Sequence, residues 1–139
     1  MTIEFSLTAQ LPSGKNQIQI SARYGRIVKY PNARFVKWRA EATTEIARQL
    51  PLGWVPITKD LCLTVSYRPL DRRTRDVSGI LDALFHVLSY SRVIQDDRQV
   101  VVIGWNPDRR ERTTGPCMIF SLEELTEEQY ADPLYCDAH

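Results

Sequence analysis

Apolar and polar residues alternate along Ile3-Glu4-Phe5-Ser6-Leu7, the period of a half-buried strand, and Leu11-Pro12-Ser13-Gly14-Lys15-Asn16 closes it with turn residues. Ile18-Gln19-Ile20 and Arg26-Ile27-Val28-Lys29-Tyr30, with Gly25 between them, predict a short hairpin. The period then changes. Phe35, Trp38, Ala42, Ile46 and Leu50 recur at threes and fours, predicting a helix from about Asn32, its candidate cap, to Gln49. The opposite face, with Arg34, Lys37, Glu41, Glu45 and Arg48, reads as solvated. Pro51 to Pro56 cannot continue a helix, and Leu61, Leu63, Val65 and Tyr67 alternate as a strand that Pro69 stops. A second helix begins near Val77, with Val77, Ile80, Leu81, Leu84 and Leu88 as its apolar stripe and Ser78, Asp82 and His86 as its polar one. Gln99 to Trp105 and Cys117 to Phe120 read as two strands joined by a basic hairpin tip, and Leu122 to Tyr130 as a short acidic helix. The order β, hairpin, α, β, α, β, β predicts an α+β fold, a single mixed sheet flanked by two main helices.

Composition narrows the class. A chain of 139 residues holds one ordinary domain, and 43% apolar with 25% charged residues is globular usage. No apolar run approaches the roughly 20 residues of a membrane span, and the N-terminus has no basic segment leading into a signal core. The expectation is therefore no membrane and a cytoplasmic location. Cys62, Cys117 and Cys136 form no CxxC pair, so reduced thiols are expected. The net charge of +1 conceals an asymmetry: residues 1–120 carry 18 basic and 11 acidic residues, whereas residues 121–139 carry six acids and no Lys or Arg. Residues 1–121 read as the domain and 122–139 as an acidic tail. A basic body suits a polyanion such as nucleic acid; a generally charged surface with a solubilising tail fits the same count.

The candidate chemistry lies between two strands. Asp71-Arg72-Arg73-Thr74-Arg75-Asp76 precedes the second helix, Asp82 lies within it, and Gln95-Asp96-Asp97-Arg98-Gln99 follows it. Mg2+ and Mn2+ take hard oxygen ligands, so a site for either needs carboxylates converging from different elements. Asp76 and Asp97 converge if the strand after Asp97 pairs beside the one ending at Tyr67. Arg72, Arg73 and Arg75 would then hold flanking phosphates, with Lys15, Asn16, Arg109, Arg110 and Arg112 as further DNA contacts. By spacing alone Asp76 is equally an N-cap and Asp96-Asp97 a solvated turn. His86 reads as a surface or dimer-contact position, and Trp38, Trp54 and Trp105 as core or interface.

A strand, then Asp71-Arg72-Arg73-Thr74-Arg75-Asp76, an apolar helix containing Asp82-Ala83-Leu84, and Asp96-Asp97-Arg98-Gln99-Val100 together resemble the RusA family of crossover-junction endodeoxyribonucleases. These are Holliday junction resolvases of bacteria and their phages. The resemblance is clear from about Leu61 to Ile103. It implies a RusA-like nuclease domain over residues 1–121 and a homodimer that nicks four-way DNA junctions with Mg2+, or Mn2+, in recombination and repair. It also implies that Asp76 and Asp97 are metal-binding and catalytic, with Asp96 beside them.

The chain departs from the family at two places. Where the family pattern reads Asp-x-Asp-Asn, this sequence has Asp76-Val77-Ser78-Gly79, and where the family often has a catalytic lysine it has Asp82. A hydroxyl is a far weaker Mg2+ ligand than a carboxylate. Ser78 and Asp82 stand four apart on one helix face, so Asp82 is the candidate to restore the missing charge, as ligand and catalytic residue. Two functions follow from different classes: a structure-specific endonuclease, and a catalytically impaired junction-binding protein of the same fold. A third, more distant, is an adaptor that recruits a partner through its acidic tail.

Overall fold

The computed structural model describes residues 2–12, 18–23, 26–31, 33–68, 77–107 and 115–128, with the backbone course alone for 18–23, 26–31 and 107. Lys15, Asn16, the Asn32 cap, Asp71 to Asp76, Arg109, Arg110, Arg112 and the tail beyond 128 lie outside these residues. The elements are β1 (Thr2–Leu7), β2 (Ile18–Arg23), β3 (Arg26–Pro31), α1 (Ala33–Gln49), β4 (Leu61–Tyr67), α2 (Val77–Tyr90), β5 (Val100–Pro107) and β6 (Met118–Glu124). The α+β expectation holds, with a mixed sheet of order β1-β6-β4-β5 and the predicted β2–β3 hairpin as a separate two-stranded sheet.

Strand pairing departs from the predicted order. β5 runs parallel to β4, and β6 lies antiparallel between β1 and β4, so β5 and β6 are not the two arms of a hairpin. A parallel pair requires a crossover, which α2 supplies, and this leaves β5 at the sheet edge. β6 is hydrogen-bonded on both sides, and its Met118, Phe120 and Leu122 stand opposite Tyr67, Val65 and Leu63. Its alternation predicts a strand but carries nothing about which strand it joins.

One face of the sheet holds the core. Phe5 and Phe120, directly paired across β1 and β6, stack with centroids 5.2 Å apart. Leu61, Leu63, Val65 and Tyr67 of β4 join them in one buried cluster with Phe35, Trp38, Ala42 and Ile46 of α1 and Ile80, Ala83, Leu84, Val87 and Leu88 of α2. Trp54 and Trp105 pack against this cluster from its margin. The alternate positions Glu4, Ser6, Thr64, Ser66, Ser121 and Glu123 are polar and not buried.

Four local expectations are corrected. Val77 is 44% exposed, whereas Ala83 and Val87 are buried, so the apolar stripe of α2 starts a turn later and is wider than predicted. Glu45 is not simply solvated: its carboxylate accepts from the backbone N–H groups of Thr8 (2.9 Å) and Ala9 (3.1 Å) and from the Thr8 hydroxyl, tying α1 to the end of β1. Leu122 is fully buried in β6, which runs on to Glu124, so no helix starts there; helical backbone appears at Glu127 and Glu128. Cys62 is disulfide-bonded, whereas Cys117 is a buried free thiol. Among the described residues no helix is long and apolar enough to cross a membrane.

Candidate functional site

The acidic loop is positioned by the way α2 ends. Arg92 adopts a left-handed backbone (φ 59°), and the Arg92 and Val93 amides donate back to the Ser89 and Leu88 carbonyls at 3.1 and 3.0 Å. This double closure turns the chain sharply off the helix. Val93 and Ile94 enter the core, and Ile57 clamps them: its amide donates to Val93 O (3.0 Å), and its carbonyl accepts from Gln95 N (3.1 Å).

Gln99 completes the clamp from inside. It is 8% exposed, and its side-chain amide donates to the carbonyls of Ile57 (2.7 Å) and Lys59 (2.9 Å) while its Oε1 accepts from Asp96 N (2.7 Å). The Asp96 carboxylate in turn caps a single 3-10 turn, Asp97–Gln99, by accepting from Arg98 N at 2.9 Å. Asp96 and Gln99 therefore form a capping box. The Asp-x-x-Gln spacing of Asp96 and Gln99 carries that signal in the sequence.

Held this way, the loop faces the polar side of α2. Asp82, His86 and Ser89, at successive turns of the helix, and Gln95, Asp96 and Asp97 of the loop line one open depression of about 510 Å3. The carboxylates differ in state. Asp96 Oδ2 pairs with Arg98 Nη2 at 2.9 Å, and hydrogen bonds from the Arg98 side chain first, then from its amide, hold the Asp96 pKa down to about 2. The structure thus gives Asp96 a loop-fixing role. Asp82 and Asp97 are exposed on opposite walls of the depression.

His86 brings in a group from α1. Its Nε2 lies 3.3 Å from Arg39 Nη1, and arginine carries no acceptor, so Nε2 accepts and the neutral ring keeps its proton on Nδ1. Burial first, then the Arg39 charge, lowers the His86 pKa below 6.5. The Arg39 guanidinium also lies 4.4 Å above the Tyr90 ring. Nothing in the sequence marks Arg39, because the contact crosses between helices; only the i, i+4 spacing of His86 and Tyr90 was visible.

Of the predicted site residues, Asp82, Asp96 and Asp97 are brought together. Asp76, Arg72, Arg73, Arg75, Lys15, Asn16, Arg109, Arg110 and Arg112 lie outside the described residues. β5 does pair beside β4, as the convergence of Asp76 and Asp97 required, but in parallel, so Asp97 precedes the strand end opposite the one at which β4 runs out. Asp97 accordingly meets α2 at Asp82, His86 and Ser89 rather than at its first turn. As a divalent-cation site the donors are of the right kind, since two exposed carboxylates from different elements share one depression. Among the described residues, however, no group of three His, Cys, Asp or Glu is close enough to grip one ion.

Fold and site together define an α+β protein that presents an acid-lined depression between a crossover helix and the loop that follows it. Comparison of the chain with protein-family models and with curated proteins finds no match.

Proposed function

We propose that the protein is a Mg2+-dependent structure-specific endodeoxyribonuclease acting on four-way DNA junctions. The observation that carries this reading is the shared depression of Asp82 and Asp97, from two different elements, at the place where the sequence resembles the RusA family. Asp82 and Asp97 are the residues that would hold the cation, with Ser78 one turn before Asp82 on the exposed face of α2. Bound there, a divalent cation supplies charge neutralisation at a phosphodiester and activation of water. The chain's own part is to orient. Gln99 and Asp96 fix the height of Asp97, α2 fixes Asp82, and the arginines from Arg72 to Arg75 hold flanking phosphates bidentately. A homodimer would supply two such sites for paired nicks.

One feature favours the second reading, a junction-binding protein with impaired catalysis: Ser78 and Gly79 stand where the family pattern has Asp and Asn. Incubation of the full chain with a labelled four-way junction, with and without Mg2+, separates the two. Cleavage is expected in Mg2+. Asp82→Asn and Asp97→Asn are each expected to lower it by roughly 100-fold or more, the equivalent of several kcal/mol of lost cation stabilisation. Both should also weaken Mn2+ binding read by electron paramagnetic resonance. Tight, uncut junctions in Mg2+ would establish the second reading, and no interaction at all would leave the adaptor.

A further inference from the structure

The DNA contacts expected from the sequence, Arg72, Arg73 and Arg75 together with Lys15-Asn16 and Arg109 to Arg112, all lie outside the described residues. Within the described residues Arg39 is a guanidinium held by an aromatic ring and a histidine. Arg39 of α1 is half-buried, stacked over Tyr90 at 4.4 Å, and donates through Nη1 to His86 Nε2 at 3.3 Å. The ring that receives it is itself fixed. His86 stacks on Tyr90 (centroids 5.8 Å apart, interplanar 21°) and packs against Phe35 at 5.4 Å, and Phe35 lies against Trp38 in the core at 5.8 Å.

We propose that Arg39 is a fixed anion-binding group at the α1 rim of the acidic depression, and that its ligand is a backbone phosphate of bound DNA. The proposal rests on the nuclease reading above and deepens it.

Three observations carry it. Arg39 has no carboxylate partner among the described residues, although Asp82, Asp96 and Asp97 line the depression that its own partner His86 also lines. Arg98, by contrast, is neutralised by Asp96 at 2.9 Å. A guanidinium has five N–H donors, and one of those of Arg39 is engaged by His86, so an edge of the fork remains for a phosphate. Stacking on Tyr90 and the bond to His86 also restrict the side-chain rotamers before any ligand arrives, so less freedom is lost on binding. A phosphate held there would sit on the His86 side of the depression that Asp82 and Asp97 also line, on the path of a backbone whose adjacent phosphodiester reaches them.

The alternative is that Arg39 is only a clasp between α1 and α2. Fluorescence anisotropy of the full chain with a labelled four-way junction in Ca2+, from about 50 to 200 mM salt, separates the two, with thermal unfolding measured alongside. Arg39→Ala is expected to weaken binding about 5- to 20-fold and to lower the salt slope by about one. Arg39→Lys, which keeps the charge but loses the fork and the stack, should fall between. If Arg39→Ala and Arg39→Lys bind with wild-type affinity and slope while the melting temperature drops, Arg39 is a clasp and the proposal fails, though the nuclease reading stands. If the wild type binds no DNA, both fall.

Discussion

Gln99 illustrates how much one buried amide can control. It is the one strongly buried polar side chain among the described residues, and it satisfies two carbonyls and one backbone amide at once. Gln99→Leu keeps the volume and takes the partner from the Lys59 carbonyl and the Asp96 amide, while the Ile57 carbonyl keeps Gln95 N. Each buried unpaired group costs on the order of 1–3 kcal/mol, and partial rehydration in the open loop reduces the total. We expect a loss of about 2–4 kcal/mol in urea denaturation, with Asp97 displaced and Mn2+ binding weakened beyond what stability explains. A change below about 0.5 kcal/mol would show that the clamp is dispensable. The spacing Asp96-Asp97-Arg98-Gln99 announced the box, but that the glutamine also reaches Ile57 and Lys59, 40 and more residues away, is a tertiary fact.

At the scale of elements, α2 and its exit decide the site. The helix was legible because five apolar positions repeat with its period, and its width was misjudged because Ala83 and Val87 were not counted as core. Its terminus was not legible. Ser91 and Arg92 are not the residues usually found at a left-handed cap, yet the chain turns there because Val93 and Ile94 have buried places to occupy. Arg92→Gly should therefore stabilise the fold by up to about 1 kcal/mol, since glycine adopts positive φ without the Cβ penalty. A destabilised Arg92→Gly, by chemical denaturation, would mean that the arginine side chain matters more than its backbone.

At the scale of the molecule, pH acts through two groups with the same sign. The folded-state pKa of His86 lies below its ordinary 6.5, so the unfolded chain binds more protons between the two values. The stabilisation is complete above 6.5 and is lost as pH falls through that window. The Asp96 pKa falls from 3.8 to about 2, so its contribution is present above 3.8 and lost as pH falls towards 2. Melting temperature should thus decline on acidification in an upper and a lower window. His86→Gln should remove the upper decline when Tm is followed from pH 7 to 5. An unchanged profile in that variant would mean that His86 is not the group responsible.

By itself the sequence determined the elements and their apolar faces, because hydrophobic period is a local property that burial of one face imposes on every strand and helix. It also marked Asp82 and Asp97 as candidates, through the ordered set of acidic and arginine-rich segments that resembles the RusA family. Only the tertiary structure decided what those elements meet. The insertion of β6 between β1 and β4 follows from pairing energies between segments far apart in the chain, which no window of sequence contains. Parallel pairing of β4 and β5 put Asp97 opposite Asp82 and His86 rather than beside the first turn of α2. The packing of α1 on α2 brought Arg39 over Tyr90, joining a cation to an acidic depression 43 residues further along the chain from Arg39 to Asp82.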